Sequence, residues 1–240
     1  TLDVFQSPHY MGRTIILEED HPVCGAELSD GYAQSKWVAE KLLMTAHSRG
    51  IPTCIYRPGM ITGHSQTGAS QPNDLVSRLI KGLTQLGIAP ELDLNMSLTP
   101  VDYVSRAIVQ LSQQANSWGK AFHLVTPEAL SFRQLVDEIQ NFGYPMQWTA
   151  YNQWQSILHR VAAEQGNALS PLLFLFTDWG AEDQLPYLKT SALVSQAFDC
   201  RNTLTGLAKT EIVCPIVDAP VLHTYFANLI PRSTSALQHL

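Results

Sequence analysis

The sequence predicts an α/β fold that contains part of a doubly wound parallel sheet, followed by a mostly helical region. Short apolar β-type runs alternate with amphipathic helices over about the first 130 residues, which is the element order of a parallel sheet. About three strands are identifiable, whereas a doubly wound sheet usually holds about five or six. Helical patterns dominate after residue 145. We therefore expect the first βαβ units to precede Thr1, and we place a soft boundary between residues 125 and 150.

The first helix is predicted from about Tyr32 to Ser48. Asp30 or Ser29 can cap its start, and Gly50 can end it in the left-handed conformation that favours glycine. Apolar residues recur at helical spacing, which predicts a stripe made of Trp37, Val38, Leu42 and Ala46.

A short apolar β-type run follows at residues 52–56, and we expect Arg57-Pro58-Gly59 to stop it. Residues 63–74 are rich in turn formers and are predicted to form an exposed loop. A helix is predicted over 75–86 and a strand over 122–125.

Two later helix starts carry capping signals. Thr99-Pro100-Val101-Asp102 combines a hydroxyl cap, a proline in the first turn and an acid three residues after the cap. Ser131-Phe132-Arg133-Gln134 is a capping box, and the helix it opens should end at Gly143. Further helical patterns surround Trp154 and run from about Val221 to Ile230.

Composition excludes several classes of protein. The net charge is -6 and Lys and Arg total 15 without forming a run, which argues against nucleic-acid binding. No apolar stretch reaches the ~18 residues of a membrane span, and the first residues do not read as a signal peptide. The four cysteines form no C-x-x-C pair and have no clustered histidines, so we expect no metal site and a cytoplasmic location; they are Cys24, Cys54, Cys200 and Cys214.

The residues that suggest chemistry are Tyr32 and Lys36. Four positions apart on a helix, the two side chains share one face. A lysine ammonium beside a phenol stabilises the phenolate, which lowers the pKa of the tyrosine. Such a phenol can give a proton to a carbonyl oxygen while hydride reaches the carbon. A solvated helix face with no function remains the alternative for this pair taken alone.

Several segments together resemble a known family. GYAQSKWVAEKLL, followed about twenty residues later by IYRPG, is similar to the extended short-chain dehydrogenase/reductase superfamily. With YRPGMITGHSQTGASQPND, RLIKGLTQLG and TPVDYVSRAIVQLS, the match narrows to the terminal thioester reductase domains of nonribosomal peptide and polyketide synthetases. Carboxylic acid reductases carry a similar domain. The resemblance is dense up to about residue 130 and weak beyond it.

The resemblance implies a role for particular residues. Thr1, at the start of Thr1-Leu2-Asp3-Val4-Phe5, matches the family's strand end and would be the third catalytic hydroxyl. Tyr32 would be the general acid, and Lys36 would hold the nicotinamide ribose. The segment that passes the nicotinamide would be Pro58, Gly59, Met60 and Ile61, mainly through its backbone.

The resemblance also implies a function. NADPH would reduce an acyl or peptidyl thioester, tethered to the phosphopantetheine arm of a carrier protein, to an aldehyde or further to an alcohol. Residues 1–130 would be the remainder of a Rossmann-like core, and residues 131–240 the substrate and carrier-docking part. The family's G-x-x-G-x-x-G phosphate loop is not in the sequence, so the chain corresponds to the C-terminal part of the domain. The missing N-terminal half would then be a partner.

Other interpretations stay open at this point. The chain could be a non-catalytic docking module, or an epimerase or dehydratase of nucleotide sugars, for which Arg160, Lys189 and Arg201 offer few basic side chains. A hydrolase would use Ser65, Asp102 and His123, but the strand–turn–helix context is missing. Glu18-Glu19-Asp20 is more typical of a charged loop than of a metal site. Isolated His159 and His223 are more typical of structural or surface histidines than of ligands. Core packing is favoured over an acyl pocket for Trp148, Trp154 and Trp179.

Overall fold

The computed structural model describes residues 1–10, 13–23, 25–28, 30–164, 166–176 and 197–230. The α-helices in this part of the chain are α1 (Gly31–Ser48), α2 (Leu75–Leu86), α3 (Val101–Ser112), α4 (Phe132–Asn141), α5 (Tyr151–Glu164), α6 (Arg201–Leu207) and α7 (Ala219–Leu229). The strands are β1 (Ile15–Ile16), β2 (Ile55–Pro58), β3 (Met60–Thr62), β4 (Ile88–Pro90), β5 (Asn95–Met96), β6 (Leu98–Pro100), β7 (Ala121–Leu124), β8 (Leu130–Ser131), β9 (Gln147–Thr149) and β10 (Ala197–Phe198).

The chain divides into two compact units, each drawn from three separate stretches. Of the described residues, the first unit takes those within 1–61, 97–128 and 190–216. The second unit takes those within 62–96, 129–189 and 217–240. All the side chains predicted to take part in the reaction belong to the first unit.

The first unit is built around the parallel strands β2 and β7, which pair from Ile55 opposite Ala121 to Pro58 opposite Leu124. Helix α3 packs against α6, and α6 packs against β7. Strand β1 pairs in parallel with β10. Two apolar clusters fill the interior: one consists of Tyr103, Val104, Ala107, Leu111, Phe122, Leu124 and Leu207, and the other of Val4, Phe5, Tyr10 and Ile16.

The second unit combines helices with two short sheets. Strands β4 and β9 are parallel, and β5 and β8 are antiparallel. Helix α7 packs against α2 and α4, and α5 packs against β4. Helices beside parallel strand pairs in the molecule confirm the predicted α/β class.

Several local predictions are confirmed. Helix α2 has the predicted bounds, and the Asp74 side chain caps it. Both hydrogen bonds of the predicted capping box are present at Ser131. Gly50 and Gly143 follow α1 and α4 with φ of 87° and 112°, the region that glycine adopts without strain. No helix or strand occurs within the predicted loop 63–74.

Two local predictions about element ends are wrong. Arg57 and Pro58 do not stop β2 but form its last residues, paired with His123 and Leu124. Thr99 does not cap α3: it lies in β6, and the N-cap is Pro100, which makes no side-chain capping bond. Because Thr99 belongs to the strand, the helix begins one residue later than predicted.

The packed face of α1 also differs from the predicted stripe. Ala33 and Glu40 are its buried residues, whereas Val38 and Leu42 are 48% and 65% exposed. The reason is the ion pair between Glu40 and the buried Arg57 on β2, which packs this side of the helix against the strand.

None of the helices in the described ranges is both long and apolar enough to cross a membrane.

Candidate active site

The start of α1 places the tyrosine and the lysine. Asp30 has an extended backbone, and its Oδ1 accepts a hydrogen bond of 2.8 Å from the backbone N–H of Ala33. This cap fixes the helix start at Gly31. Tyr32 and Lys36 therefore fall in the first two turns of the helix. Of the two caps predicted, Asp30 is the one used, and Ser29 lies outside the described residues.

The two side chains lie together on an accessible face. Lys36 Nζ is 5.5 Å from the centroid of the Tyr32 ring, and the tyrosine is 54% exposed. Lys36 is also exposed, and none of the ion pairs among the described residues involves it. The phenol and the ammonium are thus adjacent and open to a bound molecule.

Thr1 begins a short 3-10 turn, Leu2–Phe5, that packs against α1. Its hydroxyl donates to Asp3 Oδ2 at 2.7 Å and accepts from the Asp3 backbone N–H at 3.3 Å. Asp3 Oδ1 accepts from Gln6 Nε2 at 2.6 Å, and burial raises the pKa of the Asp3 carboxyl above its ordinary value. In this structure the single hydroxyl proton of Thr1 is therefore engaged by Asp3.

The segment 58–61 is held by its backbone. Gly59 N–H donates to Leu124 O at 3.0 Å, and Met60 N–H donates to Ser97 O at 2.9 Å. A Cβ on Gly59 would lie 2.8 Å from Thr99 Oγ1 and 2.9 Å from Ser97 O, so only glycine fits there. Met60 is buried, whereas Ile61 is 40% exposed. The segment can offer a ligand backbone atoms and one apolar side chain.

These groups fit the ribose and nicotinamide end of a dinucleotide. A phenol oxygen and an ammonium on one open face can together donate to and accept from the two hydroxyls of a ribose. The close approach at Gly59 keeps the adjacent strand end free of a side chain. Tyr32, Lys36 and the backbone of 58–61 are the residues that would hold this end of the cofactor.

Behind α1 lies a buried polar network that sequence reasoning missed. Arg57 is fully buried, and its Nε and one terminal nitrogen donate to the two carboxylate oxygens of Glu40 at 3.0 and 2.8 Å. The other guanidinium N–H groups donate to Glu18 O, Asp20 O and His123 Nε2. The available signal was spacing: Glu40 lies four residues after Lys36, and Arg57 directly precedes Pro58.

The tautomer of His123 follows from its neighbours. Arginine can only donate, so His123 Nε2 accepts from Arg57 at 3.2 Å. The backbone O of Asp199 can only accept, so Nδ1 donates to it at 2.8 Å. Burial, followed by the charge of Arg57, lowers the pKa of His123 to about 3. With both ring nitrogens occupied, His123 cannot be the base of the hydrolase alternative.

Glu18 is not part of an exposed charged loop. Its side chain is fully buried and accepts from the His123 backbone N–H at 2.9 Å and from Thr203 Oγ1 at 2.7 Å. Burial raises the pKa of this carboxyl. Among the described residues, no group of three or more His, Cys, Asp or Glu side chains could hold a metal ion.

The remaining candidates have structural surroundings. His223 Nε2 lies 2.9 Å from Glu138 Oε2, and Trp154 is buried against Phe176. The Arg133 guanidinium lies over the Trp148 ring at 4.6 Å. Trp179, Lys189 and Cys24 lie outside the described residues.

Known proteins are similar to this chain in both sequence and fold. An NAD-binding family model described as "Male sterility protein" matches residues 3–108. A linear gramicidin synthase of Brevibacillus parabrevis is 35% identical over 237 residues, which are 95% of this chain and 4% of that protein. L-2-aminoadipate reductase of Saccharomyces cerevisiae is 35% identical over 204 residues, 82% of this chain and 14% of that enzyme.

Among solved structures, the terminal R domain from the myxalamid PKS-NRPS pathway superposes with a TM-score of 0.82 at 38% identity, over 95% of this chain and 56% of that one. The R domain of a Mycobacterium tuberculosis nonribosomal peptide synthetase has a TM-score of 0.70 at 20% identity, covers 95% of this chain and 58% of that one, and shows the fold alone.

The parallel strand pairs, the tyrosine–lysine helix and these matches define a class of Rossmann-like folds related to an NAD-binding family. Within that class, the chain belongs to the terminal thioester reductase domains of the extended short-chain dehydrogenase/reductase superfamily. The predicted family and fold are thereby confirmed.

Proposed function

We propose that this chain contributes the catalytic groups of an NADPH-dependent reductase that releases a carrier-bound acyl or peptidyl thioester as an aldehyde. The observation that carries this proposal is the contact of Lys36 with the ring of the half-exposed Tyr32 on one open helix face. Relatives named as a gramicidin synthase and as aminoadipate reductases support a thioester substrate. The choice of NADPH over NADH rests on the family resemblance.

The protein side of the reaction is proton supply and charge stabilisation. The phenol of Tyr32 donates a hydrogen bond, and then a proton, to the carbonyl oxygen of the thioester. Lys36 stabilises the phenolate and binds the ribose hydroxyls. The chemistry that bound NADPH supplies is a hydride for the carbonyl carbon. Loss of the thiol then leaves the aldehyde, so one hydride and one proton are consumed for each aldehyde and thiol formed. A second round on the aldehyde would give the alcohol.

Thr1 contributes to this site under one condition. Its hydroxyl has a single proton, which Asp3 accepts in this structure. Thr1 can support the developing oxyanion only when Asp3 is itself protonated or moves away. We therefore assign Thr1 a hydrogen bond to the carbonyl oxygen that depends on the state of Asp3.

The partners follow from the proposed substrate. The acyl or peptidyl carrier protein would present the thioester on its phosphopantetheine arm, and residues 131–240 would supply substrate and carrier contacts. The relative described as a thiolation-reductase di-domain supports a carrier partner. We place the reaction in the cytoplasm, where the free thiols of Cys54, Cys200 and Cys214 would persist.

The nicotinamide side of the site would be lined by Pro58, Gly59, Met60 and Ile61.

The test compares two matched lysines on the same helix. Lys36 and Lys41 each lie 5.5 Å from an aromatic ring, but the ring beside Lys41 is Trp37. The substitutions are made in the complete natural protein that contains these 240 residues, which we call the parent protein. In the parent protein, Tyr32→Phe and Lys36→Met should each lower the kcat for oxidation of NADPH by a carrier-bound thioester by about 10²- to 10⁴-fold. Lys41→Met should leave kcat within about twofold.

Two results would contradict the proposal. A Tyr32→Phe variant with the kcat of the unsubstituted protein would remove the phenol from the reaction. Binding of the loaded carrier without any NADPH-dependent aldehyde would favour the docking module instead. The nucleotide-sugar alternative rests on fold similarity alone, at 14% identity to a UDP-glucuronic acid-bound neighbour.

A further inference from the structure

We propose that Arg57 is the positioning residue of this site and acts with Glu40 to set the arrangement of Tyr32, Lys36 and Thr1. The inference rests on the proposed function and extends it to a side chain that does not touch the substrate. It is carried by the geometry of the guanidinium, which contacts the elements that bear all three proposed catalytic groups.

The guanidinium is fully satisfied. Arginine has five N–H donors in a rigid planar fork. In this structure they meet five acceptors: both carboxylate oxygens of Glu40, Glu18 O, Asp20 O and His123 Nε2. The side chains of Arg57 and Glu40 are 0% and 6% exposed, so the pair is shielded from solvent. A bidentate pair of this kind fixes orientation as well as distance.

The contact with Glu40 fixes helix α1. Glu40 lies one helical turn after Lys36 and two turns after Tyr32, because an α-helix has 3.6 residues per turn. A bidentate bond to Glu40 therefore resists both rotation and sliding of α1 along β2. Rotation of the helix would swing the phenol of Tyr32 away from a carbonyl oxygen, since the tyrosine lies at the edge of the buried face.

The same guanidinium also contacts the turn that carries Thr1. The Arg57 Cζ lies 4.8 Å from the centroid of the Phe5 ring, a cation–π distance. Phe5 ends the 3-10 turn that Thr1 caps, and that turn packs against α1. The next residue in the chain after Arg57 is Pro58, the start of the proposed nicotinamide segment. One side chain thus links the turn, the helix and the strand end.

Stability alone is a poor explanation for this pair. A buried ion pair can often be replaced by apolar residues without loss of stability, because desolvation offsets the attraction between the charges. His123 is neutral, so it accepts from Arg57 without adding a second positive charge. Lysine would keep the charge but would lose the two-point contact with Glu40. The arrangement is therefore suited to holding geometry.

The test uses variants that separate geometry from folding. In the parent protein, Arg57→Lys and Glu40→Gln should each lower kcat about 10- to 100-fold, because small misplacements of reacting groups reduce the rate steeply. The KM for NADPH should change less than about threefold. The pH dependence of kcat should also change, since the contact between Tyr32 and Lys36 is disturbed. The apolar pair Arg57→Met with Glu40→Leu should remain slow, and its thermal midpoint should fall because Glu18 O, Asp20 O and His123 Nε2 lose their donor.

The matched control is Arg201, whose side chain is 70% exposed and pairs with the mostly buried Asp199. Arg201→Lys should leave kcat and its pH dependence unchanged within about twofold, because a guanidinium open to solvent contributes little through its ion pair. If Arg57→Lys does not fold, the kcat of the apolar double variant tests the positioning role. If the double variant does not fold either, Glu40→Gln tests the role, because glutamine keeps the volume of the glutamate side chain. A folded variant of this set with unchanged kcat and pH dependence would overturn the positioning role.

Failure of the proposed function would look different. A parent protein that does not reduce thioesters, or a Tyr32→Phe variant that is as active as the parent, would remove the reaction that Arg57 is proposed to serve. An active parent with an inactive Tyr32→Phe variant and a fully active Arg57→Lys variant would leave the function standing and remove only the positioning role.

Discussion

Gly59 shows how a single missing side chain shapes the strand end beside the site. Its Cα faces Thr99 Oγ1 and the backbone O of Ser97, which leave no space for a methyl group. We expect Gly59→Ala to lower the free energy of unfolding by about 1–3 kcal/mol, because the backbone at Ser97 and the side chain of Thr99 would have to shift. Urea denaturation measures this change.

The control for that substitution is Gly31→Ala. No atom lies within 4 Å of a Cβ built at Gly31. Alanine there should be neutral or should stabilise the protein by up to about 1 kcal/mol, since it restricts the unfolded chain. Equal effects at the two glycines would contradict the close approach at Gly59.

Asp3 makes the contribution of Thr1 dependent on pH. Burial raises the pKa of Asp3, so the carboxyl keeps its proton to a higher pH than an exposed aspartate does. As pH rises through that raised pKa, Asp3 ionises and accepts the hydrogen bond of the Thr1 hydroxyl, so oxyanion support by Thr1 falls. We expect kcat of the parent protein to decrease over that range, and Asp3→Asn to remove this decrease.

The measurement for Asp3 is kcat against pH for the parent and for Asp3→Asn. An amide can donate to Thr1 Oγ1 at every pH and leaves the hydroxyl proton free. Asp137→Asn, an exposed position on α4, is the matched control and should follow the parent. Identical profiles for the parent and Asp3→Asn would show that Thr1 does not depend on Asp3.

At the level of elements, local signals predicted helix ends well and packed faces less well. The bounds of α2 and the capping box of α4 follow from residues within a few positions of each other. The buried face of α1 depends instead on Arg57, which lies 17 residues beyond Glu40. A periodic pattern cannot show that a charged residue is the buried one when its partner is on another element.

The cap of α4 provides a quantitative check on those local signals. Ser131 Oγ accepts from the Gln134 backbone N–H at 3.1 Å, and Gln134 Oε1 accepts from the Ser131 backbone N–H at 2.9 Å. We expect Ser131→Ala to lower the free energy of unfolding by about 1 kcal/mol. Ser112→Ala, which removes an exposed hydroxyl in the last turn of α3, should change it by less than about 0.5 kcal/mol. Equal losses would argue against the box.

Across the whole molecule, the sequence predicted the part of the site that is local in the chain. Tyr32 and Lys36 lie four residues apart, and their shared face follows from helix geometry. The network behind them joins Arg57 to Glu18 and His123, at separations of 39 and 66 residues. Pairings at such distances depend on how strands and helices are arranged, which no local pattern contains.

That network makes the stability of the protein depend on pH in a defined direction. The folded-state pKa of His123 is about 3, below its ordinary value of 6.5. Between these values the unfolded chain takes up a proton that the folded chain does not, so stability is lost as pH falls. The loss from this group approaches about 1.4 kcal/mol per pH unit inside that window.

The raised carboxyl groups act in the opposite direction. Burial raises the pKa values of Asp3 and Glu18, so each of them favours the folded state as pH falls through its own range. A single curve of stability against pH therefore adds contributions of both signs. A substitution at His123 isolates one of them, because the carboxyl groups are present in both proteins.

We expect His123→Gln to flatten the dependence on the acid side. Glutamine is uncharged throughout and can both accept from Arg57 and donate to the backbone O of Asp199. As pH falls from about 6 to 4, the free energy of unfolding of the parent should decrease relative to that of the variant by up to about 1.4 kcal/mol per pH unit. Urea denaturation at a series of pH values measures it. The effect should persist in high salt, because buried groups are screened weakly. Parallel curves would show that the pKa of His123 does not differ between the folded and the unfolded protein.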